Sequence, residues 1–150
     1  VGSVHGNWTQ IVAQKEVAGI LSTLPKIDVV ATQGGDGFGV AQAFKAAGRP
    51  MPVIFLGNRH DELTWWAEQH KANGYQTMSV AIAPGASTFA FWVAQQVLAG
   101  AKVPKEIELP RTIVTQETLE ASLKATEPGG VVNVEYTQQE VIDLIGKAGK

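Results

Sequence analysis

Short apolar runs alternate with amphipathic stretches along most of the chain. The runs are rich in β-branched residues and are bounded by glycine, proline or polar residues, which is typical of buried strands. They lie at 27–32, 51–57 and 77–82. The stretches between them carry apolar residues at helical spacing and stop at glycine or before proline. They predict helices over 8–24, 40–47 and 63–72.

The two ends of the chain follow this rhythm less regularly. Residues 1–4 are predicted to form a short strand before the first helix, and residues 87–98 a further helix. Prolines then punctuate the chain, with an extended segment predicted over 107–114 and a helix over 117–124. Thr137 and Glu140 form a capping-box pattern in front of an apolar run, which predicts a last short helix.

This alternation indicates the fold class. Strands that alternate with helices of about 10 to 16 residues are typical of parallel βαβ units with right-handed crossovers. The predicted class is therefore α/β. In such sheets the loops at the carboxyl ends of the strands line the ligand crevice.

One of these loops is rich in glycine and contains a single carboxylate, in the order Gln33-Gly34-Gly35-Asp36-Gly37-Phe38-Gly39. Glycine permits positive φ and a close approach of a ligand, so the loop is predicted to present Gln33 and Asp36 to a small molecule. The alternative interpretation is that these glycines serve only to let the chain turn between a strand and a helix, without binding a ligand. A phosphate loop is weakly supported, because the glycines do not fit G-x-G-x-x-G and no Lys-Ser or Lys-Thr follows.

Composition narrows the class of function. The chain has 150 residues, of which 45% are hydrophobic and 17% charged, as in one globular domain. The net charge of −2 and the lack of a basic run argue against a nucleic acid partner. The sequence has no cysteine, which excludes disulfides and thiolate metal sites. It shows no motif for a nucleophile, metal or cofactor, so we predict neither catalysis nor a bound cofactor.

Five segments, in their order and spacing, resemble the C-terminal half of periplasmic sugar-binding proteins of ABC transporters, of the ribose-binding type. They are Gly6-Asn7-Trp8-Thr9, Thr32-Gln33-Gly34-Gly35-Asp36, Phe44-x-x-Ala47-Gly48-Arg49, Gly57-Asn58-Arg59 and Leu98-x-Gly100-x-x-Val103-Pro104. The resemblance implies a parallel-sheet, three-layer lobe of a type I periplasmic binding protein. It implies a protein of the periplasm that binds a sugar or similar polar small molecule between two lobes and delivers it to a membrane permease.

The resemblance also implies an incomplete chain. Residues 1–83 correspond to the C-terminal ligand-binding lobe without its first strand and helix, and 84–150 to the hinge crossover and the segment that returns to the other lobe. The N-terminal lobe and any signal peptide would lie outside the sequence. In the family's strand order, 2-1-3-4-5, the absent strand would lie between residues 1–4 and 27–32. We therefore expect those two segments not to pair, and another polypeptide segment to fill the gap.

The ligand-binding residues implied by the resemblance follow the carboxyl ends of the strands. They are Asn7, Gln33, Asp36, Asn58 and Arg59, with His5 and Trp8 as additional candidates. The sequence departs from many sugar binders in two places. Gly34-Gly35-Asp36 replaces an Asn-Asp pair, and Gly57-Asn58-Arg59 lacks a common aspartate. Arg59 would suit a carboxylate or a polyol, because its guanidinium presents a fork of donors.

Two other functions fit the same predicted fold. One is the effector-binding domain of a transcription regulator of the lactose-repressor type, and the other is a nucleotide-dependent α/β enzyme. A fold alone does not separate such functions. Asp61 and Glu62 are predicted to be first-turn acids that the helix dipole favours, without a further role.

Overall fold

The computed structural model describes residues 1–148, which form six α-helices and four short β-strands. The helices are α1 Gln10–Leu21, α2 Gly37–Ala46, α3 His60–Asn73, α4 Ala86–Leu98, α5 Leu119–Ala125 and α6 Gln138–Ala148. The strands are β1 Val29–Ala31, β2 Val53–Phe55, β3 Ser79–Ala81 and β4 Thr112–Val114. No helix within the described range is long and apolar enough to cross a membrane.

Strands and helices alternate, and the pairing from β1 through β2 to β3 is parallel. β1 and β2 pair in parallel, with Val30 opposite Ile54 at the centre of the register. A parallel bridge between Leu56 and Ser79 continues this arrangement to β3, and β3 in turn pairs with β4. The predicted α/β class is therefore confirmed. β1, β2 and β3 are each shorter than the apolar run that predicted them, and β4 forms only at the end of the extended segment predicted over 107–114.

The chain divides into two compact units. Unit 1 comprises Val1–Ala81 and Ile113–Val132, and unit 2 comprises residues 82–112 and those from 133 onward. The predicted division into 1–83 and 84–150 remains a prediction, and its last two residues, 149 and 150, lie outside the described range.

The core of unit 1 combines buried side chains from α1, α2, α3 and α5 with others from β2 and β4. Phe44, Ile54 and Trp66 are among its largest buried side chains. Trp65 is also buried and packs edge-on against Tyr75, with 5.2 Å between the ring centroids. The apolar faces predicted from helical spacing therefore supply this core.

The predicted strand over residues 1–4 is absent. A cavity of about 590 Å³ lies along β1, and residues 1–4 and α1 also line it. Within the described residues β1 pairs with β2 alone, so its other edge has no neighbouring strand. An extended segment becomes a strand only when its backbone groups find a ladder partner, and residues 1–4 lie across the cavity from the nearest one.

In unit 2, aromatic residues of α4 pack against the segment that leads into α6. Phe89 is buried against Tyr136, with ring centroids 5.6 Å apart, and the Trp92 indole N–H donates to the Tyr136 carbonyl oxygen at 2.8 Å. The predicted capping box is confirmed. The backbone N–H of Thr137 donates to the Glu140 carboxylate at 2.8 Å, and the Glu140 N–H donates to the Thr137 hydroxyl at 3.3 Å.

Candidate functional site

Three loops of unit 1 converge at the carboxyl ends of β1 and β2. They are residues 5–9, the β1–α2 loop (residues 32–36) and the β2–α3 loop (residues 56–59). Glycines permit their contact. A Cβ on Gly34 would lie 2.5 Å from Cδ1 of Trp8, and a Cβ on Gly35 would lie 2.3 Å from Cδ of Arg59. Both glycines also have positive φ, so a side chain there would strain the backbone as well as clash.

Residues 5–9 form a tight turn that presents polar and aromatic groups. Asn7 and Trp8 both have positive φ, at 52° and 54°, which is uncommon for residues other than glycine. Trp8 is 65% exposed although its indole contacts the β1–α2 loop. Such backbone strain persists only where surrounding contacts hold it, and it is found at ligand-binding sites more often than elsewhere.

The side chain of Asp36 packs against the turn formed by residues 5–9. A Cβ on Gly6 would lie 2.3 Å from a carboxylate oxygen of Asp36, so the two loops touch at this point. Burial raises the pKa of the Asp36 carboxyl, and a hydrogen bond from the Thr9 backbone N–H opposes part of that shift. The other carboxylate oxygen is buried and has no hydrogen-bond partner within the described residues.

The buried side chain of Glu62 links the end of the β1–α2 loop to the β2–α3 loop by hydrogen bonds. Its side chain is fully buried, and its Oε1 accepts the Gly37 backbone N–H at 2.9 Å. Its Oε2 accepts the N–H groups of Gly57 at 2.9 Å and of Arg59 at 3.2 Å. Burial raises the pKa of Glu62, the Asp61 charge adds to this, and the three hydrogen bonds oppose it. Glu62 is a first-turn acid of α3, as predicted, but the sequence analysis missed this contact.

The structure brings five of the seven predicted ligand residues to one cavity. His5, Asn7, Trp8, Gln33 and Asp36 all line it. Its lining changes along β1, from apolar beside the strand to polar at the strand's carboxyl end. This polar end combines acceptors, amide donors and an aromatic face, which are the groups that recognise hydroxyls and the C–H faces of a polar organic molecule.

The other two predicted ligand residues, Arg59 and Asn58, do not line the cavity. Arg59 contacts Gly35, and its Nε lies 3.5 Å from the Asp61 carboxylate. Asn58 is fully buried, with a φ of 66°. Its N–H donates to the Ser79 hydroxyl at 2.6 Å, and its carbonyl oxygen accepts the Val132 N–H at 2.9 Å. Asn58 therefore belongs to the support of the β2–α3 loop and not to its exposed face.

Comparison with known proteins gives one family and several solved structures. A family model described as periplasmic binding protein domain matches residues 1–102. An ABC transporter solute binding protein from Thermobispora bispora is 28% identical with a TM-score of 0.83, and the match covers 96% of this chain and 44% of that one. No functionally curated protein matches the chain.

More distant structures share the fold. A Mycobacterium smegmatis protein in complex with β-D-fucofuranose is 22% identical with a TM-score of 0.66, covering 97% of this chain and 44% of that one. A 5-methylthioribose transporter solute binding protein from Thermotoga lettingae, in complex with 5-methylthioribose, is 16% identical with a TM-score of 0.61, covering 98% and 48%. The chain thus spans less than half the length of each of these proteins.

Proposed function

The chain belongs to the periplasmic binding protein domain family, and on that premise we propose that it forms part of the solute-binding component of an ABC importer. Its role is solute binding. We assign the complete protein to the periplasm, where it binds a sugar or a similar polar small molecule between two lobes. It then delivers this ligand, chemically unchanged, to a membrane permease.

The observation that carries this proposal is the polar end of the cavity. The Asp36 carboxylate and the amides of Asn7 and Gln33 supply acceptors and donors for hydroxyl groups, and the exposed Trp8 indole supplies a face for sugar C–H groups. His5 and Arg59 add donors at the edge of this group. Asn58 contributes from beneath by holding the loop that carries Arg59.

Two neighbours favour a furanose or a modified pentose among possible ligands. One is in complex with β-D-fucofuranose and the other with 5-methylthioribose. The names of two neighbours favour transport over the regulator alternative. The proteins from Thermobispora bispora and Thermotoga lettingae are both named as transporter solute binding proteins.

Isothermal titration calorimetry on the full-length protein tests the proposal. The ligand panel is D-ribose, D-fucose and 5-methylthioribose, with L-leucine as a chemically unrelated control and ATP as the ligand expected of a nucleotide-dependent enzyme. We expect at least one sugar to bind with micromolar affinity or better, and to be recovered unchanged after incubation. Binding of ATP or leucine without any sugar, or conversion of the sugar to a product, would contradict the proposed function.

A further inference from the structure

The buried carboxylate of Glu62 accepts hydrogen bonds from the backbone at the ends of two separate loops. One oxygen accepts the N–H of Gly37, at the start of α2, and the other accepts those of Gly57 and Arg59. Gly37 precedes β2, whereas Gly57 and Arg59 follow it, 20 and 22 residues further along the chain. A single buried side chain therefore sets the distance between the β1–α2 and β2–α3 loops.

The surroundings of the carboxylate leave it little freedom. A Cβ on Gly37 would lie 2.7 Å from Oε1, and a Cβ on Gly57 would lie 3.2 Å from Oε2 and 2.6 Å from the Gly35 nitrogen. Glycine at both positions thus permits the backbone to approach the carboxylate and the two loops to approach each other. A displacement of Glu62 would release both loops together.

These loops carry residues of the proposed ligand site. Asp36 immediately precedes Gly37, and the Arg59 N–H is itself one of the three donors. We propose that Glu62 is a positioning residue that holds the two loops in a fixed relation and thereby sets the spacing between Asp36 and Arg59. Its effect on ligand affinity rests on the proposed function, whereas the coupling between the loops does not.

The charged and titratable groups around Glu62 determine how pH acts on this contact. Asp61 and Arg59 adjoin it at the start of α3, and Asp36 lies next to Gly37 at the start of α2. The residues that β2 and its loop contribute, Leu56 and Gly57, carry no titratable side chain. Protonation of Glu62 would replace a carboxylate that accepts on both oxygens by a carboxyl group that accepts well on one.

Amide NMR on the wild-type full-length protein tests the coupling without any ligand. We expect the N–H resonances of Gly37, Gly57 and Arg59 to titrate together, with a midpoint above the ordinary range of a glutamate, because one carboxylate accepts all three bonds. Amides that titrate separately, or do not titrate, would overturn the proposal.

The variant Glu62→Gln then separates positioning from simple packing. Its amide side chain has one acceptor oxygen, so we expect the shared titration to disappear and hydrogen exchange of the amides in one of the two loops to accelerate about ten-fold or more. Glu68→Gln is the matched control, because Glu68 is an exposed residue of the same helix. Unchanged exchange in both loops of Glu62→Gln would overturn the proposal.

The affinity arm uses D-fucose and 5-methylthioribose as probes. Glu62→Gln should weaken the binding of whichever probe the wild-type protein holds about ten-fold, and Glu68→Gln should leave it within two-fold. Coupled amides without any sugar binding would refute the proposed function and leave the coupling intact. Sugar binding that Glu62→Gln leaves unchanged would refute the positioning role alone.

Discussion

A Cβ on Gly39 would lie 2.2 Å from the backbone carbonyl oxygen of Gln10. Helices α1 and α2 therefore cross with backbone against backbone at the first turn of each. The contact places the start of α1, and with it residues 5–9, directly beside the start of α2. The Gln10 side chain extends the link by donating to the carboxylate of Asp61 at the start of α3.

Gly39→Ala is expected to destabilise the protein strongly. The atom it would meet is backbone, which cannot move without displacing a helix, and overpacking of this kind costs about 1–3 kcal/mol or more. Gly19→Ala is the matched control in α1, because no atom lies within 4 Å of a Cβ there. It should stabilise by about 0.5–1 kcal/mol through higher helix propensity. Urea unfolding measures both, and equal effects would refute the close crossing.

The side chain of Arg49, which follows α2, caps the C-terminal end of α1. Its guanidinium donates to the carbonyl oxygen of Leu21, the last residue of α1, and to those of Leu24 and Pro25 just after the helix. Arg49→Ala should cost about 1.5–3 kcal/mol, the usual value for hydrogen bonds to a charged group. Lys45→Ala, at an exposed position of α2, should stay within about 0.5 kcal/mol. Thermal unfolding distinguishes the two, and a neutral Arg49→Ala would show that these bonds contribute nothing.

Local pattern was sufficient for the helices, because amphipathic spacing, capping and glycine stops act within a few residues. It failed for residues 1–4, whose β-type sequence requires a ladder partner that the chain does not place beside them. It also missed Glu62, since a first-turn acid becomes a buried acceptor only through loops that tertiary structure brings together. The one signal available was glycine at 37 and 57, where no side chain blocks the approach.

Asp36→Ala is expected to weaken sugar binding in the full-length protein by ten-fold or more, because a hydrogen bond to a charged partner contributes about 1.5–3 kcal/mol. Asp28→Ala is the control, since Asp28 is exposed just before β1, at the opposite end of the strand from the β1–α2 loop. Calorimetry with the sugar panel measures both. An unchanged affinity in Asp36→Ala would remove this residue from the site.

Glu62 is expected to make the free energy of unfolding depend on pH. Its pKa in the folded protein is raised, chiefly by burial, so its contribution to stability is fully present below the unfolded value near 4.5 and is lost as pH rises through the folded pKa. The free energy of unfolding of the wild type, minus that of Glu62→Gln, should therefore fall as pH rises from about 4 to 8. A difference that stays constant over this range would contradict the raised pKa of Glu62 in the folded protein.

One edge of β1 has no neighbouring strand within the described residues. Val53 donates its N–H to the carbonyl oxygen of Asp28 at 2.9 Å, and backbone groups in a parallel ladder alternate between the two edges. Val30 therefore pairs with β2, whereas the N–H and C=O groups of Val29 and Ala31 point toward the cavity. Within the described residues these groups have no partner, so this edge of β1 presents unpaired N–H and C=O groups that a further strand can pair with.

We expect a further extended segment of the full-length protein to occupy this edge, parallel to β1 and between it and residues 1–4. In a protein limited to residues 1–150, the amides of Val29 and Ala31 should exchange with solvent about ten-fold or more faster than that of Val30. In the full-length protein all three should exchange slowly, because both edges of β1 are then paired. Hydrogen exchange followed by NMR makes the comparison. Slow exchange of Val29 and Ala31 in the shorter protein would mean that residues 1–4 close the edge themselves, and fast exchange in the full-length protein would mean that no strand enters the gap.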